Sequence, residues 1–194
     1  MKGYCSIKNI EDYLLTDIDL NFQASVEGFI ESIEALIDQE TGRSFVADED
    51  ASDRYFHGTG STFLKIDDCV DVEKVEYGDT YGDSFVEVEE DDYILVPRTG
   101  VPIKGIYLKN DYWQVGQSNH KITARWGYSE EAPADIRFVA TVLVAGIIKN
   151  NMKNKGDVVS ERIGDYSVSY DKDKGLNDFS RAKSILDSYK LFLI

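Results

Sequence analysis

The sequence predicts an α+β protein in which a small helical bundle carries an inserted antiparallel β module. Apolar residues recur at helical spacing near the start of the chain and again after Pro133. Between these stretches, residues 53–128 shorten the spacing to two and are dense in Gly, Tyr, Trp and acidic side chains. At 194 residues and 42% hydrophobic content the chain can bury a sizeable core. The helical framework is accordingly assigned to residues 1–50 and 130–194, and the β-rich module to 51–129.

Residues 6–17 read as a first helix. Ser6 or Asn9 can cap it, Glu11 and Asp12 suit its positive end, and Ile10, Tyr13 and Leu14 fall on one face. A second helix follows, because Phe22, Val26, Phe29, Ile30, Ile33 and Ile37 form a continuous stripe. Gly42 is its expected stop.

From Arg54 the pattern is that of short strands: residues 63–66, 70–75, 85–88, 93–96, 103–108, 112–115 and 121–126. Turn signals at Gly58 and Gly60, 78–82, and Thr99-Gly100 separate them. Such closely spaced strands predict an antiparallel sheet or small barrel.

Pro133 and Asp135 suit the first turn of a third helix that runs to about Met152. Phe138, Val139, Val142, Leu143, Val144, Ile147 and Ile148 make it apolar on nearly every face, and Ala140, Ala145 and Gly146 permit close approach of another helix. One neighbour cannot cover such a helix. It is expected either at the buried centre of the fold or packed between subunits. Residues 163–170 read as a hairpin or extended arm, residues 177–189 as a last helix, and the apolar tail 191–194 as a segment that tucks into the core or a partner.

Lys and Arg number 21 against 36 Asp and Glu, a formal charge of −15, which disfavours a broad electrostatic grip on DNA or an anionic membrane. The apolar run 138–148 is about half the roughly 20 residues that span a bilayer, so no transmembrane helix is expected. The first residues lack the apolar core and cleavage site of a signal peptide, which places synthesis in the cytoplasm. Cys5 and Cys69 are expected to be reduced and structural.

No catalytic constellation stands out, and no cofactor or metal is assigned. Residues 58–62, Gly-Thr-Gly-Ser-Thr, lack both the spacing and the Lys of a phosphate loop, and a glycine turn is the better reading. His57 and His120 have no partner at zinc-ligand spacing. The acids of 79–92 raise the question of calcium, but their spacing is not that of an EF-hand loop, and Val86 and Val88 among them look like the inward side of a strand. Neither a nucleophile elbow nor a Ser or Cys paired with a His base is recognisable. Tyr107, Tyr112, Trp113, Trp126 and Tyr128 could form a stacking platform for a sugar or single strand, although aromatics at strand spacing are more often core.

Three stretches together resemble the head-tail connector (adaptor, or head-completion) proteins of tailed bacteriophages. They are the paired N-terminal helices ending in Ile37-Asp38-Gln39-Glu40-Thr41-Gly42-Arg43-Ser44-Phe45, the passage from Trp126-Gly127-Tyr128 through Pro133 into the apolar helix, and residues 161–170 before the final helix. The β segment is longer than a minimal connector requires, and larger members are similar in carrying an insertion there.

The resemblance implies a structural virion protein at the head-tail junction, without enzymatic activity. It would form a ring of twelve subunits in the particle, joining portal to tail or to a second connector. The ring would extend the channel through which packaged DNA passes without sequence-specific binding. The residues expected at assembly interfaces are Phe138, Val142, Ala145 and Ile148 on the apolar helix. In the arm they are Glu161, Arg162, Ile163, Gly164, Asp165, Tyr166, Val168 and Tyr170. Competing readings are another phage neck or tail-completion protein, and a β-module protein that binds a glycan or peptide through Trp113 and Trp126.

Overall fold

The computed structural model describes the backbone of residues 1–78, 84–152, 159–163, 166–170 and 175–191, and the side chains of 1–78, 84–149 and 177–191. Two compact units are present, a helical one from 1–45 with 131–194 and a β one from 46–130.

In the helical unit, α1 spans Ile7–Leu14 and α2 spans Leu20–Thr41. The Ser6 hydroxyl accepts from the Asn9 backbone N–H while the Asn9 side chain accepts from Ser6 N–H, a reciprocal cap. α1 is shorter than its sequence pattern predicts. Leu15 turns left-handed at φ 56°, and the Glu11 carboxylate takes the Ile18 N–H at 2.9 Å, drawing the chain out of the helix. α2 starts at the Asp19 cap and ends at Gly42, whose φ of 70° suits a residue without Cβ. Its predicted stripe is largely inward: Val26, Ile30, Ile33 and Ile37 are buried, while Phe22 and Phe29 are half-buried and pack edge to face.

α3 (Ala134–Met152) is the centre of this unit and packs against α1, α2 and α4 (Gly175–Tyr189). Ile136, Val139, Ala140, Val142, Leu143, Val144, Ala145 and Ile148 are all essentially inaccessible. Of the two placements expected for this helix, the structure shows the buried centre. Three helices of its own chain enclose it, because residues from both ends of the sequence are available to surround it.

The β unit is an antiparallel sheet in the order β1-β6-β2-β5-β4, with β3 also paired to β2. The strands are β1 Ser52–Gly58, β2 Phe63–Gly78, β3 Phe85–Glu87, β4 Tyr93–Val96, β5 Ile103–Leu108 and β6 Gly116–Trp126. The two apolar runs read separately at 63–66 and 70–75 are one strand, β2. It pairs with β5 through Phe63 to Cys69 and with β6 through Cys69 to Tyr77, with register shifts along both ladders. Residues 112–115 are a loop rather than a strand. Trp113 explains this, since its N–H donates to Ser61 O at 2.8 Å and its indole N–H donates to Ile106 O at 3.2 Å, which plugs the ring into the core.

The core of the sheet is Leu64, Ile66, Val75, Ile106, Ile122, Trp113 and Trp126, with Val88 packed against it. Val86, expected inward like Val88, is instead 53% exposed. On β2, Glu76 is buried and ion-paired to Lys121 at 2.7 Å and Lys74 at 3.0 Å. Burial pushes its carboxyl upward, but the hydrogen bonds from Lys121 and Lys74 outweigh that and hold it below the ordinary carboxylate range.

The two ends of the β unit meet. Val46 and Ser129 form a parallel bridge, and Ala47 N–H donates to Ser129 O at 2.9 Å. Gly127 beside them has φ 149°, and a Cβ there would lie 2.4 Å from Ala47 Cα.

Two substitutions test this packing in full-length protein by denaturant unfolding. Gly127→Ala is expected to cost about 2 kcal/mol or more, because both the backbone angle and the contact with Ala47 must give. Ala145→Trp is expected to cost at least about 1–3 kcal/mol, since Ala145 is fully enclosed.

Candidate functional site

The residues expected to carry assembly divide into two groups. On α3, Val142, Ala145 and Ile148 are buried within the helical unit, so they can shape a subunit contact only by stiffening the helix behind it. Phe138 is half-buried, with the Arg181 guanidinium 4.9 Å over its ring. It is the one of the four that reaches the surface.

The second group forms a hairpin. β7 (Val159–Ile163) pairs antiparallel with β8 (Tyr166–Tyr170), setting Glu161 opposite Val168, Arg162 opposite Ser167 and Ile163 opposite Tyr166. β8 runs close to α3. Gly164 and Asp165 lie outside the described residues, as do residues 192–194 of the apolar tail. The tail's first residue, Leu191, is tied down through its N–H to Thr41 O at 2.9 Å.

A polar network missed by pattern reading fastens the first residues of the chain to α2. Glu34, a buried carboxylate on α2, accepts the backbone N–H of Lys2 at 2.6 Å and of Tyr4 at 2.9 Å. The Tyr4 hydroxyl donates to Asp38 and accepts the Phe45 N–H at 2.7 Å, and the Lys2 ammonium also reaches Asp38. Burial and the hydrogen bond to Asp38 raise the Tyr4 phenol far above its usual range. No periodicity marks Glu34, because an acid between Ile33 and Leu36 reads as solvated. Its signal would be the two backbone donors that need an acceptor.

The last helix is held in the same way. Tyr13 on α1 donates to Asp178 at 2.7 Å, Tyr189 donates to Asp135 at 2.9 Å, and Arg43 Nε donates to Tyr189 O at 2.7 Å. The Tyr189 ring stacks edge to face on Phe45 at 5.1 Å. These contacts join α1, α2, α3 and α4 at both ends of the bundle.

The remaining candidate chemistry is absorbed by structure. Cys5 and Cys69 are free and buried, and burial above all pushes both thiols up to about 12, far from a reactive thiolate. The glycine turn after β1 is a poor phosphate cradle, because both glycine N–H groups are engaged: Gly58 donates to Asn119 Oδ1 at 3.0 Å and Gly60 to Trp113 O at 2.8 Å. Gly58 is required there, since a Cβ would fall 1.7 Å from Gln114 O.

His57 accepts the Ser118 N–H, and His120 is buried. Among the described residues no group of three or more His, Cys, Asp or Glu converges as a metal site, and no helix is long and apolar enough to cross a membrane. Asp79 and Asp83 of the acidic segment lie outside the described residues.

Recognition through Trp113 and Trp126 is corrected by their burial. Each is 1% exposed, and the Trp126 indole N–H is spent on Ser52 O at 2.8 Å. Tryptophans committed in this way to a sheet core offer no stacking face.

No protein-family model matches the chain, and no curated protein does. Solved structures do. The fold is similar to a chain in the neck of an empty gene transfer agent (GTA) particle computed with C6 symmetry, with a TM-score of 0.61 and 11% identity over 100% of this chain and 93% of that one. It is similar to a chain of the virion of a native gene transfer agent particle, with a TM-score of 0.59 and 12% identity over 100% and 92%. A third similar chain belongs to the neck of the native particle computed with C12 symmetry, with a TM-score of 0.56 and 11% identity over 97% and 89%. At these identities the likeness is one of fold, and it runs through both units.

Proposed function

We propose that this chain is a structural subunit of the neck of a phage or phage-like particle, forming a ring at the head-tail junction that joins portal to tail and extends the DNA channel. The observation that carries the reading is the extent of the likeness. A helical framework interrupted by a β unit of this size matches nearly end to end with chains whose particles are described by their necks and virion.

The symmetries of those necks, C6 and C12, favour a closed ring, and one head-to-tail interface repeated around an axis builds one. The charge of −15 suits a wall past which DNA must slide, because a negative surface does not hold phosphates. A virion component has no need of a reactive centre, and the high thiol pKa values are consistent with that.

Within this reading the β7–β8 hairpin is the docking element toward a neighbour, the portal or the tail side, and Phe138 with the face of α3 near it lies at a contact. Val142, Ala145 and Ile148 supply the rigid backing. The portal and a tail or second connector protein are the partners. DNA passes without being read.

Co-purification with the portal protein of the same genome, followed by cryo-electron microscopy of the parent particle, tests the assignment. Density for this chain as a ring directly beneath the portal is expected. Density further down the tail would reassign it to tail completion, and its absence from both particle and portal eluate would overturn the neck reading. Removing residues 159–170 is expected to leave helical content and sheet unfolding unchanged while abolishing retention by the portal, as checked by circular dichroism and pull-down.

A further inference from the structure

One end of the sheet in the β unit holds a cavity of about 380 Å³. It lies between the segment from β3 through the 3-10 turn Glu90–Asp92 and the loop joining β5 to β6. Glu87, Glu89, Asp92 and Asp111 line it, and among the described residues no Lys or Arg does. Lys74 approaches Glu87 at 3.5 Å and Asp111 accepts the Tyr112 N–H, but the side chains of Glu89 and Asp92 make no ion pair or hydrogen bond among the described residues.

His120 lies beside these acids. It is 2% exposed and also lines the cavity. Its Nε2 lies 3.1 Å from Gln114 O, so that nitrogen carries the proton, and Nδ1 is left as a buried acceptor without a donor. The apolar lining is aromatic, from Tyr77, the exposed Tyr112 and the edge of Trp113.

A cavity whose charged lining groups, among the described residues, are all carboxylates, and whose walls are aromatic, selects a cationic donor. Among the described residues its carboxylates do not gather in groups of three, which suits a cation larger than a metal ion. An ammonium or guanidinium on an alkyl stem fits, with its methylenes against Tyr77 and Tyr112 and its head among the acids. A second copy of this chain would approach carrying its own charge of −15, so charge complementarity favours a different, basic protein.

We infer that this cavity is a docking pocket for an arginine or lysine side chain presented by a basic segment of a partner protein. The inference stands on the β unit alone and does not require the neck assignment.

Nuclear magnetic resonance of the full-length, isotopically labelled protein provides the test, because the chain has only two tryptophans. The probe is the peptide acetyl-Gly-Arg-Gly-Arg-Gly-amide. Its addition is expected to shift the indole N–H signal of Trp113, at the cavity, and to leave that of Trp126 in place. The double variant Glu89→Gln with Asp92→Asn, and separately Tyr112→Ala, are expected to weaken peptide binding about tenfold each. These side chains are exposed, so unchanged unfolding midpoints are expected as well.

A charge-matched control, Glu27→Gln with Glu31→Gln on α2, is expected to bind the peptide as the parent does. Equal weakening by the control would reduce the effect to general attraction to an acidic protein and overturn the proposal. So would a shift of both indole signals, or of neither. Stronger and competitive displacement by calcium chloride or by spermidine would reassign the cavity to a metal or a free amine, and the inferred partner would fall.

Discussion

The helical unit is organised by a single requirement, that α3 must be covered on every side. A helix with one apolar stripe can rest on one neighbour, but α3 has no polar face over most of its length and needs several. The chain meets this by wrapping α1, α2 and α4 around it, which brings the first forty-five residues and the last sixty or so into one body. The Glu34 and Asp38 carboxylates then hold the first residues of the chain in place, and the Tyr13, Asp178, Tyr189 and Asp135 bonds hold the last helix. The polar contacts act at the ends of the bundle, where apolar contact runs out.

The consequence for function is a division of labour. The most apolar residues are buried within the chain, so they build a stiff body rather than an adhesive one. The surface chemistry shown by the described side chains lies elsewhere, in the exposed acids and in the tyrosines of the sheet. Under the proposed assignment, a ring gains from rigid bodies joined by separate contact elements.

Much of this architecture could be read from the residues. The α+β class followed from the change in spacing, the stop of α2 from Gly42, and the start of α3 from Pro133 and Asp135. What escaped was set by contacts distant in sequence. Tyr112 to Val115 carry strand-like residues, yet Trp113 is drawn out of any ladder by its bonds to Ser61 and Ile106. Leu15 leaves the helix because the Glu11 carboxylate prefers a backbone donor beyond it. Glu34 looked solvated because its two donors lie thirty residues upstream. The acidic cavity was illegible for the same reason, since its lining comes from β2, β3, the turn after it and the loop before β6, and only the folded sheet assembles them.

The bridge between Val46 and Ser129 means that the β unit begins and ends at nearly the same point in space. An insertion of this geometry imposes little strain on the segments that flank it, because the gap it must span is one strand spacing wide. The unit is therefore separable in evolutionary terms: recombination could exchange it for a larger, smaller or differently charged module while the helices around α3 keep their arrangement. Chains that share this helical scaffold could in this way diversify the surface they present.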